Sequence, residues 1–393
     1  MARQCARVRH LAEGDANTRY FHILARGKKK RIFIPHLNVG GVQVAEHESM
    51  EQALFAHFQS VFGSKAHWPH GLNLSELGYS ASDLSSLHAP FTEEEVWEAI
   101  KDMPGDRAPG PDGFIGVFYK TAWHIIKPDV IGRPRRVSPR QRVWIQRIKQ
   151  RTHRPPAKEA GRELALVSKL LAVRLAAHLH GLVSCNQTAF VWGRVLHDSY
   201  KFVQAAAAHF RKKKIPVPLL KIDISKAFDT ISWKFLLDVL QALGFSQRWR
   251  DWVAILLSLA SSSILVNGMP GRKILHRRGV RQGDSLFPML FILAMDAFNR
   301  LVDRAGRRGI LSKLGYHCSL YADDVILFVS STTREAVRVK RLLEVFGNAS
   351  GLVANLGKCS ISTVATDEEV TSNIAAVLGC RVAPFPLSTS VCR

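Results

Sequence analysis

No two cysteines of this chain form a C-x-x-C pair. Cys5, Cys185, Cys318, Cys359, Cys380 and Cys392 are scattered over 393 residues, which argues against a structural zinc site. No run of about 18 uninterrupted apolar residues occurs, the length that a bilayer-spanning helix needs. The densest stretch, Leu286 to Phe298, is broken by Pro288 and Asp296 and reads as a core helix. A secretory signal is missing as well, so the thiols are expected to be reduced and the protein intracellular. Acid is scarce: 32 Asp and Glu stand against 55 Lys and Arg, a formal net charge of +23. That excess points to a polyanionic partner, with nucleic acid the default; a solubilising surface is the plainer alternative. At 47% hydrophobic residues the chain can bury a substantial core, and its length predicts two lobes.

The acids that are present are arranged. Asp323 and Asp324 are adjacent, between Ser319-Leu320-Tyr321 and the run Val325 to Val329. The β-branched and aromatic flanks predict two strands, with the acids at a hairpin turn. Two carboxylates about 4 Å apart repel by about 4 kcal/mol at an effective dielectric of 20, and a divalent cation removes that cost. Oxygen ligands favour Mg²⁺ or Mn²⁺. An Asp-rich turn with no further role would also explain the pair. The third acid, Asp223, ends the apolar stretch Leu219 to Ile224. An unpaired carboxylate at the end of a buried strand is costly. If that strand lies beside the hairpin, Asp223 and Asp323 can share two metals roughly 3.5–4 Å apart, the arrangement for in-line phosphoryl displacement.

Three stretches in this order, KIDISKAFDT from Lys221, RQGDSLFPMLF from Arg281 and YADDVILF from Tyr321, resemble the palm motifs of a reverse transcriptase. The chain is most similar to the polymerase part of plant LINE-type non-LTR retrotransposons. EGDANTRYFH near the start, APGPDG within Arg107 to Phe114, the NQ…F…GR block from Asn186 to Arg194 and the SGL…NL.K block from Ser350 to Lys358 extend the likeness. The resemblance implies an α+β fold: a right-hand polymerase palm, an antiparallel sheet with helices on one face, with partial helical fingers and no thumb. It implies an N-terminal linker over 1–90, a fingers-like region over 91–215, the palm over 216–385 and a tail over 386–393. The implied activity is RNA-directed DNA polymerisation, with two Mg²⁺ ions, Mn²⁺ being an alternative. Asp223, Asp323 and Asp324 are the implied catalytic acids, and with Ile224 they form the implied metal-binding set. Phe228, Arg281, Gln282, Gly283, Lys358, Asn186, Gln187 and Arg194 are the implied nucleotide and template contacts, Asn186, Gln187 and Arg194 serving equally as contacts to the palm. RNA template, DNA primer and dNTP are the implied partners, with no membrane.

Several local signals accompany the motifs. Met50, Leu54, Phe58 and Phe62 recur at helical spacing. Thr92 and Glu95 fit a capping box, and Leu171, Leu175 and Leu179 mark a core helix. Asn267-Gly268 in 267–271 predicts a hairpin. Asp284 or Ser285 is expected to cap the helix running to Arg300. The run Lys28-Lys29-Lys30-Arg31 suits a nucleic-acid contact, a nuclear address or a solvated loop.

Two features depart from the family. Residues 132–162 hold eleven Lys and Arg and one acid where the family has two fingers strands, as a frame-shifted insert or a genuine basic arm would. This segment supplies +11 − 1 = +10 of the +23. Phe287 stands where the family has serine, and its bulk is expected beside the template track. The competing readings are a catalytically inactive retroelement remnant that only binds nucleic acid, and an intron-encoded maturase.

Overall fold

The computed structural model describes residues 27, 33–64, 71–103, 116–131, 160–314 and 317–385. EGDANTRYFH, the 28–31 basic run, the Arg107 to Phe114 turn, residues 132–159 and the tail lie outside the described residues. In chain order come strands β1 (Leu37–Val39) and β2 (Val42–Val44) and helix α1 (His47–Phe58). Helices α2 (Glu93–Lys101), α3 (Gly116–Thr121), α4 (Trp123–Ile131), α5 (Ala160–Leu182) and α6 (Leu196–Lys213) lead to strand β3 (Leu219–Ile222). Then follow α7 (Ala227–Thr230), α8 (Trp233–Ala242), α9 (Gln247–Ser258), β4 (Ser261–Val266), β5 (Met269–Leu275) and α10 (Phe287–Arg307). The hairpin β6 (Cys318–Tyr321) and β7 (Asp324–Phe328), then α11 (Thr333–Ser350), β8 (Ser360–Ser362), α12 (Glu368–Leu378) and β9 (Arg381–Val382) complete a mixed helix-and-sheet fold.

The described residues divide into two compact units. The smaller joins residues up to 63 with the inserted hairpin 261–275. Its turn is Asn267-Gly268, with φ +50° and +89°, the positive pair that a two-residue turn of this kind requires and Asn-Gly supplies. The Asn267 amide bonds both ways to the backbone of Ile34, and Arg272 pairs with Glu51 at 3.2 Å. Helix α1 stops at Phe58, and the predicted continuation to Phe62 is a wider π turn over Gln59–Gly63.

The larger unit holds a five-stranded sheet in the order β6-β7-β3-β8-β9. β3 is central because its residues can be buried from both sides: Leu219, Leu220 and Ile222 are at most 1% exposed. Helix α10 fills the core beneath, apolar almost all round from Phe287 to Phe298, and contacts α5, α8 and α11. It runs to Arg307, seven residues beyond the expected end. Phe287 is 1% exposed and belongs to this core, so its ring does not lie on an outer track as the sequence suggested; the helix start turns it inward. Side-chain oxygens of Thr92, Ser232, Ser246 and Thr332 accept the third backbone N–H of α2, α8, α9 and α11. At Thr92 both bonds of the capping box form. In α5, Ala165–Leu182 has the length and hydropathy of a bilayer span, which the search for uninterrupted runs passes over because Lys169 and Arg174 break it. Here Leu171, Leu175 and Leu179 lie in the core.

Candidate active site

The strand register brings the distant acids to one place. β3 and β7 are antiparallel, with Ile222 opposite Val325. The next rung sets Asp223 level with Asp324, and directly opposed residues in such a pair share a face. The backbone of Asp223 is held on its other side: Asn355 N–H donates to its carbonyl at 2.8 Å, and its own N–H donates to Cys359 Sγ at 3.3 Å. Ile224 forms an antiparallel bridge with Ala354, framed by the bonds of Asp223 and Ser225. In a bridge of that kind the residue's own N–H and C=O point away from the partner. The Ile224 carbonyl therefore faces the side on which β7 lies.

Asp323 sits in the tight turn between β6 and β7. Tyr321 pairs with Asp324, which leaves Ala322 and Asp323 as a two-residue loop. Ala322 has φ +54°, a conformation costing an L-residue roughly 1–2 kcal/mol. The turn is held by a strap running from Ser184 to Thr188, parallel to the outer edge of β6. The Ala322 N–H donates to Gln187 Oε1 at 3.2 Å, and the Ala189 N–H donates to the same oxygen at 3.0 Å. Leu320 N–H donates to Asn186 O, Thr188 N–H to Leu320 O, and Asn186 Nδ2 to Cys318 O and Asn299 Oδ1. Buried Asp296 on α10 anchors the strap by accepting Ser184 N–H at 2.9 Å, and is itself paired with Arg300 at 2.7 Å.

Charge accumulates at this strand end. Burial lifts the Asp324 carboxyl above the ordinary carboxylate range; Lys221 opposes the rise, while Asp323 and Asp223 add to it. Lys221 Nζ lies 3.9 Å from Asp324 Oδ1. Sequence reasoning missed Lys221, although its place two residues before Asp223 on a strand already put both on one face. The Cys359 sulfur behind Asp223 carried no signal at all. Among the described residues no three His, Cys, Asp or Glu side chains converge into a ready-made metal cage. The donor chemistry nevertheless fits Mg²⁺: hard oxygens from carboxylates and a backbone carbonyl, fewer than the ion's six, as Mg²⁺ commonly takes from protein.

The other sequence-derived residues fall into three groups. Phe228, on α7, stacks on Phe291 with centroids 4.3 Å apart, and its carbonyl accepts Val280 N–H at 2.6 Å. That bond, with Gly279 N–H donating to Ile231 O at 2.8 Å, lays Gly279 and Val280 along α7. Gly279 permits the approach, since a Cβ there would come within 2.5 Å of the Asp229 carbonyl oxygen. Arg281 donates to Leu259 O at 3.1 Å, and burial lowers its pKa. Gln282 and Gly283 are exposed; Gly283 has φ +84° and open space above it. Neither Asp284 nor Ser285 caps α10 as expected: the helix begins later, with Leu286 as its N-cap and no side-chain bond there. Asp284 instead accepts Leu286 N–H at 2.9 Å just ahead of the helix, and the Ser168 hydroxyl also donates to it. Asn186, Gln187 and Arg194 make up the strap and its brace. Gln187 is 0% exposed, and Arg194 donates to the carbonyls of Ser184, Gln187 and His180. Lys358 stands alone, exposed on the loop that supports the Asp223 backbone.

Comparison with known proteins gives a consistent answer. Residues 152–382 match the family model described as reverse transcriptase (RNA-dependent DNA polymerase). The chain is similar to the transposon TX1 uncharacterized 149 kDa protein of Xenopus laevis, 25% identical over 90% of this chain and 28% of that protein. It is similar to the retrovirus-related Pol polyprotein from type-1 retrotransposable element R2 of Nasonia vitripennis, 27% identical over 65% of this chain and 25% of that protein. The corresponding polyprotein from type-2 retrotransposable element R2DM of Drosophila melanogaster is 27% identical over 68% of this chain and 26% of its own length. The chain thus spans about a quarter of the length of the curated relatives it matches.

Proposed function

Since this chain belongs to the reverse transcriptase (RNA-dependent DNA polymerase) family, we propose that it is the polymerase portion of a non-LTR retrotransposon Pol polyprotein. In this reading the five-stranded sheet is the palm, and it joins a dNTP to a DNA primer 3′-OH on an RNA template. The observation that carries the reading is the register that levels Asp223 with Asp324, with Asp323 in the adjoining turn. Asp223, Asp323 and the Ile224 carbonyl would hold the divalent cations, with Asp324 assisting. When bound, such a cation pair activates the attacking hydroxyl and stabilises charge on the triphosphate. The chain's own task is positioning, the larger share of catalysis in phosphoryl transfer. The strap keeps Asp323 at the strand end, and Lys221 balances Asp324. Phe228 walls the sugar pocket, while exposed Gln282 and Gly283 border the nascent pair. Lys358 serves the leaving pyrophosphate.

One observation favours a second reading, an inactive remnant that binds nucleic acid: residues 132–162 lack the two fingers patterns that the family carries. Primer extension on an RNA template with Mg²⁺ decides between them. Extension that is abolished in Asp323→Ala, together with loss of Mn²⁺ binding by electron paramagnetic resonance, supports the enzyme. Salt-sensitive RNA binding with no extension by the parent chain supports the remnant.

A further inference from the structure

The loop that follows the strap is built to present aromatic rings. From Ala189 to Trp192 the residues alternate strictly: Ala189 is 1% exposed, Phe190 53%, Val191 4% and Trp192 91%. Phe190 has φ +59°, a region that bulky side chains avoid. Gly193 at φ +79° then turns the chain back, and Arg194 ties the return to three backbone carbonyls. The loop is thus braced from inside, while its two largest apolar groups face outward.

Its position is set by the strap. Gln187 bridges Leu320 in the parallel sense, and its Oε1 accepts both Ala189 N–H and Ala322 N–H, so the loop starts beside the turn that carries Asp323. Trp192 is five residues past Gln187 and so within about 18 Å of it. Single exposed apolar side chains are ordinary; two aromatic rings on one braced loop at the catalytic end of a sheet are a platform. A protein that tracks a nucleic-acid strand combines positive charge with rings on which bases stack. The chain as a whole is basic, keeping 23 − 10 = +13 even without residues 132–162, as an RNA-binding protein would be.

We propose that Phe190 and Trp192 form a stacking platform for unpaired bases of single-stranded RNA beside the Asp323 turn. The platform rests on the polymerase reading only for the kind of nucleic acid it meets. Trp192 is the major surface and Phe190 the inner one.

The test is equilibrium binding of the full chain to a short fluorescein-labelled single-stranded RNA, at several salt concentrations. Trp192→Ala is expected to weaken binding about 5- to 150-fold, and Trp192→Phe to retain most of the affinity. The slope of log affinity against log salt stays unchanged in Trp192→Ala, because a stacked base releases no counterions; a misfolded variant would change it. RNA quenches indole emission of the parent chain more than that of Trp192→Phe. Equal RNA affinity in Trp192→Ala, with the parent binding normally, overturns the platform and leaves the polymerase reading standing. Absence of RNA binding by the parent chain at low salt overturns both. A parent dimer that Trp192→Ala converts to monomer by sedimentation overturns the platform in favour of a second copy of this chain.

Discussion

Gln187 is the point at which the site is most exposed to a single change, and Gln187→Leu isolates its role. The side chain is 0% exposed, and one oxygen accepts both Ala322 N–H and Ala189 N–H. Leucine fills nearly the same volume and removes the acceptor. Two buried N–H groups are then unpaired, at about 1–3 kcal/mol each. Against this, Gln187 Nε2 has no partner in the parent structure, and its removal returns about 1 kcal/mol by the same reasoning. The net destabilisation expected is about 1–5 kcal/mol, read from urea unfolding followed by tryptophan fluorescence. Loss should concentrate at the hairpin, because Ala322 sits in a conformation that surroundings must hold. Hydrogen exchange of the segment 318–326 is therefore expected to accelerate well beyond that of α10. A variant within about 0.5 kcal/mol of the parent, with unchanged exchange across this segment, would refute the reasoning.

Other consequences are as direct. Ala322→Gly relieves the cost of φ +54° while adding backbone entropy to the unfolded chain, so stability should stay level or rise by up to about 1.5 kcal/mol. Ala336→Gly, buried in the first turn of α11, should cost about 1 kcal/mol, and similar losses at both positions in parallel unfolding curves would sink the comparison. Thiol reactivity should follow environment. Burial pushes Cys380 up to about 11, with Cys359 nearby adding to the shift, so the thiol is favoured and its nucleophilic form withheld at neutral pH. Alkylation of Cys380 followed by mass spectrometry should climb with pH through 9 and be half-maximal only near 11, whereas an ordinary cysteine is half-maximal near about 8.5. A plateau below pH 9 would contradict that environment. Exposed Cys185 should label readily and buried Cys318 and Cys359 slowly.

What the amino-acid order determined by itself is chiefly local. Alternation and turn chemistry marked β3, the β6–β7 hairpin and the Asn267-Gly268 turn, because each is decided by neighbours in sequence. The capping box at Thr92 and the core stripe of α5 were legible for the same reason. The spacing of three ordered motifs carried the family. Register was not legible: only the pairing of Ile222 with Val325 says that acids a hundred residues apart come level. The duty of Asn186, Gln187 and Arg194 was half legible: template and palm contacts both stood open, and only the packed structure shows their amides and guanidinium spent on backbone groups of the hairpin and its strap. Phe287 was misjudged for a related reason, since whether a ring faces core or solvent depends on where a helix begins relative to the sheet. Local conformation follows from residue type and spacing; the direction of a side chain and the partner of a hydrogen bond are set only when distant segments pack.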